Sequence, residues 1–175
     1  AVLTREPGGT AIGLDIRRVL LDPATVGLDA RAEALLMAAD RAQHAAQVIA
    51  PALAAGRHVV SDRSAYSSLA YQGYGRGLPL AELAAVNRFA TGGLVPDLTI
   101  CLDLPVELGI VRKHADKQTN RMEADSIAFH ERVRRGFLEL AAAEPQRWRV
   151  VDATQSPERV WGEIRRHVDA ILEGD

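Results

Sequence analysis

The stretch Thr4-Arg5-Glu6-Pro7-Gly8-Gly9-Thr10, entered from the apolar pair Val2-Leu3, joins the end of a strand to the start of a helix. Thr10 serves as a helix cap, and Ile12, Ile16, Val19 and Leu20 follow at helical spacing until Asp22-Pro23 stops them. A turn of this kind gathers an arginine, a carboxylate and free backbone amides into one crevice, the usual place for an anion in an α/β protein. A plain glycine turn with a capping threonine fits the same seven residues equally well.

Working outward, helical and strand patterns alternate. Asp29 caps a long alanine-rich helix from Ala30 to Ala50, with Leu35, Leu36, Ala39, Ala42 and Ala46 on one side as a close-packing or subunit-contact face. Pro51 is expected to kink or restart it before Gly56. His58 to Ser61 reads as the next strand and runs into Asp62-Arg63 at its carboxyl end, where ligands sit in sheets of this class. A helical stretch from Ser67 to Gly73 is broken by Gly73, Gly75 and Gly77, and a helix from Leu80 to Phe89 follows. Pro96-Asp97 introduces a third strand, Leu98 to Leu102, then a helix from Val106 to about Lys113 and a polar loop. A helix from Asp125 to Ala143, a strand from Trp148 to Val151 and a helix opened by Ser156-Pro157 complete the chain. The alternation specifies an α/β fold, a parallel sheet flanked by helices, as one domain over residues 1–175. Four strands leave the central place of a doubly wound sheet unfilled, so a strand before Ala1 is expected. Without it a slot would open between its neighbours.

Composition narrows the ligand. The 175 residues are 47% hydrophobic and carry 21 basic and 23 acidic side chains, a net charge of -2. That balance supplies no basic field for nucleic acid or anionic lipid, so an anionic ligand must be small and locally held. Lys113 and Lys117 are the only lysines and the other 19 basic residues are arginine, the side chain suited to forked phosphate binding. Cys101, the lone cysteine, lies in an apolar strand as an expected buried, inert thiol, which fits a reducing cytoplasm. No apolar run reaches the roughly 18 residues of a membrane span, and no signal peptide is apparent. The five histidines and Cys101 show no metal-ligand spacing.

Two further clusters carry chemistry. Asp62-Arg63, followed by Ser67-Ser68-Leu69-Ala70-Tyr71-Gln72-Gly73, is denser in polar groups than a connection needs. Its arginine suits a phosphate oxygen, and its serine, tyrosine and glutamine suit a planar polar ring. Asp40-Arg41, inside the long helix, reads by itself as a solvated face. The basic stretch Arg112 to Arg121 reads either as a phosphate-covering lid, about residues 113–121, or as a solvated charge run.

Taken together, TREPGGT at 4–10, LLMAADRAQH at 35–44, DR at 62–63, SSLAYQGYGRG at 67–77 and PDLTICLDLP at 96–105 closely resemble bacterial thymidylate kinase, in order and spacing and over essentially the whole chain. The resemblance implies a P-loop kinase fold and transfer of a phosphoryl group from ATP-Mg2+ to thymidine monophosphate, chemistry that rests on positioning and charge stabilisation. It implies that Arg63 and Arg17 hold the 5′-phosphate, that Asp62 orders the water or Mg2+ shell, and that Glu6 lies near the deoxyribose and metal. Arg41 would bond the thymine ring, Ser68 and Gln72 would complete its polar edge, and Tyr71 would exclude a ribose 2′-hydroxyl. Met37 stands where the family places an aromatic ring. Lys117, with Arg112 and Arg121, would serve the lid and the donor nucleotide, and Asp152-Ala153-Thr154 would lie against the adenine. The Glu6–Pro7 peptide is expected to be cis, and a homodimer through the long helices is expected.

The sequence departs from the family pattern in three places. No Gly-x-x-x-x-Gly-Lys-Ser/Thr motif occurs in the 175 residues, the ring position is Met37, and His114 and Asp116 replace lid arginines. These residues alone are therefore expected to show no phosphoryl transfer. A second reading is a module that binds the monophosphate without catalysis.

Overall fold

The computed structural model describes residues 1–114, 121–122 and 125–174. These form two compact units, Ala1–Val95 with Thr119–Gly136 and Pro96–Gln118 with Phe137–Asp175.

In the first unit β1 (Val2–Arg5) and β2 (Val59–Asp62) pair in parallel, in a register running from Val2 opposite Val59 to Arg5 opposite Asp62. The Glu6 N–H continues the ladder onto the Asp62 carbonyl, so both chains leave the sheet at the same level. Helix α1 (Ala11–Leu21) is capped by Thr10, whose side chain accepts from the Gly13 N–H, and α2 (Ala30–His44) by Asp29, which accepts from Arg31. Both caps are where the sequence sets them. Pro51 acts as expected: it has no N–H to continue the helix. The chain passes through a π-helical turn, Ala45–Ile49, before α3 (Ala50–Ala54). A second π-helical stretch, Leu69–Gly75, continues the short α4 (Ala65–Ser68) and leads to α5 (Leu80–Thr91), which ends on the left-handed Gly92.

One expectation is reversed. Helix α2 turns Glu33, Ala34, Ala38, Asp40, Arg41 and His44 inward, while Leu35 is 59% exposed and Ala39 and Ala46 also face out. Asp40-Arg41 is thus a core feature and not a solvated face. A polar stripe can be buried because its members neutralise one another there.

In the second unit β3 (Thr99–Asp103) and β4 (Trp148–Asp152) form a parallel pair, Thr99 opposite Trp148 through Asp103 opposite Asp152. Trp148 and Val151 are buried there. Cys101 is half-buried, less enclosed than its apolar run suggests. Helix α6 (Val106–His114) follows β3, and α8 (Pro157–Leu172) is capped by Ser156 with proline in its first turn. Helix α7 (Ile127–Ala143) has residues in both units. Among the described residues the four strands are two parallel pairs and not one sheet, and Leu3 and Val60 are largely exposed. No helix of the described residues is long and apolar enough to cross a membrane.

Candidate active site at the strand ends

The turn after β1 is shaped by what lies beneath it. Gly8 has φ 103° and gives its N–H to the Asp40 carboxylate at 2.9 Å. A Cβ on Gly9 would lie 2.5 Å from the His44 ring and 2.8 Å from the Arg5 carbonyl, so only hydrogen fits. The Glu6–Pro7 peptide is cis. Glu6 points down, 6% exposed, and its two oxygens engage α2: Oε2 accepts from Arg41 Nε and Oε1 meets His44 Nδ1, each at 2.9 Å. Because a carboxylate can only accept, Nδ1 carries a proton, and Nε2 pairs with the Thr4 hydroxyl at 2.7 Å.

Arg41, 2% exposed, also donates through Nη1 to Ser68 Oγ at 3.2 Å and Asn87 Oδ1 at 2.7 Å, and through Nη2 to the Ser64 carbonyl at 3.3 Å. These bonds engage four of the five N–H groups of a guanidinium and leave one on Nη2. The structure therefore brings Glu6, Arg41 and Ser68 into one network.

Above this network the strand ends collect positive charge. Burial, then the charges of Arg5 and Arg63, hold the Arg17 guanidinium below its usual pKa, with Asp62 and Asp40 opposing. Arg17 is anchored by donating to the Pro7 carbonyl at 2.8 Å. Arg63 has φ 73°, the left-handed region unfavourable to a side chain, and its guanidinium lies 5.0 Å from the centroid of the Tyr71 ring. An open cleft of 430 Å³ is lined by Leu3, Thr4, Arg5, Gly8, Gly9 and Asp62. Arginines gathered at the strand ends next to an open cleft form a site suited to an anion.

A second buried network lies deeper. Glu33, 1% exposed, accepts from Gln72 Nε2 at 2.8 Å, from Arg121 Nη2 at 2.5 Å and from Arg76 Nη2 at 3.3 Å. Arg121 also donates to the Leu20 carbonyl. Arg76 forks onto Asp125 with two 2.8 Å bonds and stacks 4.5 Å from the Phe129 centroid. Burial pushes the Glu33 carboxyl up, but the bonds from Gln72, Arg121 and Arg76 outweigh it and hold its pKa low. Arg121, read in the sequence as serving the donor nucleotide, is in this structure a partner of Glu33. Met37 is half-buried on α2.

The remaining residues read for the donor nucleotide, Arg112, Asp152, Ala153 and Thr154, belong to the second unit. Arg112 donates to the Ala153 carbonyl at 2.8 Å, and Asp152 accepts from the Thr154 N–H and hydroxyl at 2.9 and 2.6 Å. Lys117 and most of the 113–121 segment lie outside the described residues. Sequence reasoning missed Glu33, His44, Arg76 and Asn87. The spacing Glu33, Asp40, Arg41, His44 puts these four α2 side chains on one helical stripe, a signal present in the sequence.

Comparison with known proteins identifies the family. A family model described as thymidylate kinase matches residues 1–164. The thymidylate kinase of Desulfovibrio desulfuricans is 51% identical over 178 residues, covering 98% of this chain and 82% of the relative. That of Symbiobacterium thermophilum is 50% identical, covering 98% and 79%. A crystal structure of thymidylate kinase from Ehrlichia chaffeensis superposes with a TM-score of 0.76 at 30% identity, over 95% of this chain and 79% of that one. The chain therefore belongs to the thymidylate kinase family, with its α/β P-loop kinase fold.

Proposed function

We propose that the full-length protein carries out its family's reaction, phosphorylation of thymidine monophosphate to the diphosphate, and that this chain holds the acceptor's 5′-phosphate at the ends of β1 and β2 by Arg63 and Arg17. The placing of Arg5 and Arg63 at the strand ends, with Arg17 anchored on the turn beside them and an open cleft at Arg5 and Asp62, carries this reading, because guanidinium groups so placed suit a phosphate. Asp62, at the last paired position of β2, orders the water or metal shell beside the phosphate. The thymine ring lies toward Arg41, whose remaining Nη2 donor suits a ring carbonyl. Ser68 holds that guanidinium, and Gln72 faces the ring edge. Tyr71, under Arg63, walls the sugar, Met37 covers the ring, and Glu6 fixes Arg41.

The donor is ATP-Mg2+. The ion is proposed to arrive on the triphosphate and to borrow one or two carboxylates. When bound, that ion screens the charge of the transferring phosphoryl group. Arg112 and Asp152-Ala153-Thr154, in the second unit, are proposed with Lys117 to serve the donor nucleotide, whereas Arg121 is committed to Glu33.

A single domain over residues 1–175 is supported by the family match, which runs through both units. The outward face of α2 with Leu35 supports a homodimer, and the site holds no requirement for a membrane or nucleic acid. The proposed location is the cytoplasm. No observation favours the module that binds without catalysis.

Calorimetry on the chain tests the acceptor site. Thymidine monophosphate is expected to bind in preference to uridine, cytidine and deoxyguanosine monophosphates. Arg63→Met is expected to weaken it by about 10- to 100-fold, the loss of one charge-assisted phosphate contact. An unchanged affinity in that variant, or a preference for another base, overturns the assignment.

A further inference from the structure

Gln72 is 1% exposed, and its Oε1 has no hydrogen-bond partner among the described residues. An amide oxygen left alone at that depth is uncommon, because buried polar atoms are nearly always paired. Its orientation is not arbitrary. The other end of the amide faces Glu33, 2.8 Å away, and Glu33 is a carboxylate held by two arginines. Such a group accepts hydrogen bonds and cannot donate them. Turning the Gln72 amide over would set its oxygen against a carboxylate oxygen, two acceptors with no hydrogen between them. Glu33 therefore forces the NH2 group toward itself and the carbonyl away from itself.

We propose that Glu33 is a positioning residue for base selection: by pinning the Gln72 amide it presents a fixed hydrogen-bond acceptor to the bound base, one matched by a ring N–H and mismatched by a ring nitrogen lone pair. The inference rests on the thymidine monophosphate reading of the site. Thymine carries a hydrogen on N3 and cytosine carries a lone pair there, so one oriented amide separates them. Glu33 touches no substrate. It acts through Gln72, and the Arg121 guanidinium, the shorter of its two ion pairs, suffices to hold its charge. The π-helical backbone around Gln72, Leu69–Gly75, is part of the same device, since it sets which way residue 72 faces relative to α2.

The test is a Glu33→Gln variant. A glutamine at position 33 offers either a carbonyl or an NH2 to its neighbour, so Gln72 becomes free to face the base with either end. Binding of thymidine monophosphate and deoxycytidine monophosphate is measured by calorimetry. The ratio of the two affinities is expected to fall by about tenfold in Glu33→Gln, the size of one hydrogen-bond match. Arg76→Met, which weakens the same network but leaves the carboxylate on Gln72, is expected to keep the wild-type ratio. An Arg76→Met ratio that falls equally overturns the proposal in favour of a general structural role.

Should Glu33→Gln fail to fold, the wild-type protein still decides the matter. A nuclear Overhauser contact between the Gln72 side-chain NH2 and the Glu33 γ-protons is expected, and its absence overturns the proposal. A wild-type chain that binds no thymidine monophosphate overturns the underlying functional reading. A wild type that binds and discriminates, with a folded Glu33→Gln that discriminates equally, overturns the role of Glu33 alone.

Discussion

The two buried carboxylate networks share one stripe of α2, with Glu33 and Asp40 about two helical turns apart, yet their charge balance differs. Around Glu6, a second carboxylate, Asp40, is drawn into the same interior. Burial and the nearby Glu6 charge raise the Asp40 pKa, although the Gly8 N–H, His44 and Arg41 pull it down. Around Glu33 the sign is the opposite, because one carboxylate is met by two guanidinium groups and an amide. The first network crowds negative groups under the strand-end turn and spends its one arginine on four acceptors. The second surrounds one negative group with donors. Position on the helix does not decide the pKa; the ratio of donors to carboxylates does.

That contrast can be broken most severely at Arg41. Arg41→Met leaves Glu6 without its cation and removes the donor to Ser68, Asn87 and the Ser64 carbonyl. The expected loss is about 3–5 kcal/mol of unfolding free energy, the cost of stranding a buried charge, read as a fall in the urea midpoint. A loss below about 1 kcal/mol would show that the network relaxes easily and that Glu6 finds other partners.

The next effect sharpens the Glu33 side. Glu33→Gln is expected to cost about 2 kcal/mol at neutral pH, the scale of hydrogen bonds to a charged group. The sign follows from its lowered pKa. Stability from an ionised Glu33 is complete above the ordinary carboxylate range and is lost as pH falls through its depressed folded value. The gap between wild type and variant should therefore close on acidification, and a pH-independent gap would contradict the pairing.

The smallest effect is at Asp40. With a raised pKa, its ionisation is harder in the folded than in the unfolded chain, so its contribution falls as pH climbs from the ordinary carboxylate range through the folded value. Asp40→Asn keeps an oxygen for the Gly8 N–H and removes the charge. A gain of under about 1 kcal/mol is expected at neutral pH, shrinking toward zero in acid, as measured by thermal melts across pH. A loss at neutral pH would mean that its attraction to Arg41 and His44 outweighs its burial.

Much of the fold is legible in the sequence because its signals are local. Thr10, Asp29 and Ser156 cap the helices they precede, since a cap needs only the next three residues. The strands were bounded one residue short at their carboxyl ends, where Arg5, Asp62, Asp103 and Asp152 are polar yet pair in the ladders. Hydrophobicity does not register a backbone hydrogen bond. Arg63 at the carboxyl end of β2 is legible from the sequence in the same local way, whereas Arg17, inside α1, enters only through the family resemblance. The burial of Arg41 and the existence of the Glu33 network were not read from the residues alone. Glu33 meets partners 39, 43 and 88 residues away in the chain, and no local pattern records that a charged residue has found a buried counterpart.

The π-helical stretch Leu69–Gly75 has a consequence for how this site tolerates length change. An α-helix advances each side chain by about 100°, and a π-turn absorbs one extra residue without lengthening the path by a full step. Residues 69–75 thus work as a phase adjuster between Arg63 on one side and the glycine turn on the other. Removing a single residue there would restore ordinary pitch and rotate Gln72 out of Glu33's reach, altering base reading while leaving the phosphate arginines where they are. Length in this segment, as much as residue identity, encodes what the pocket recognises.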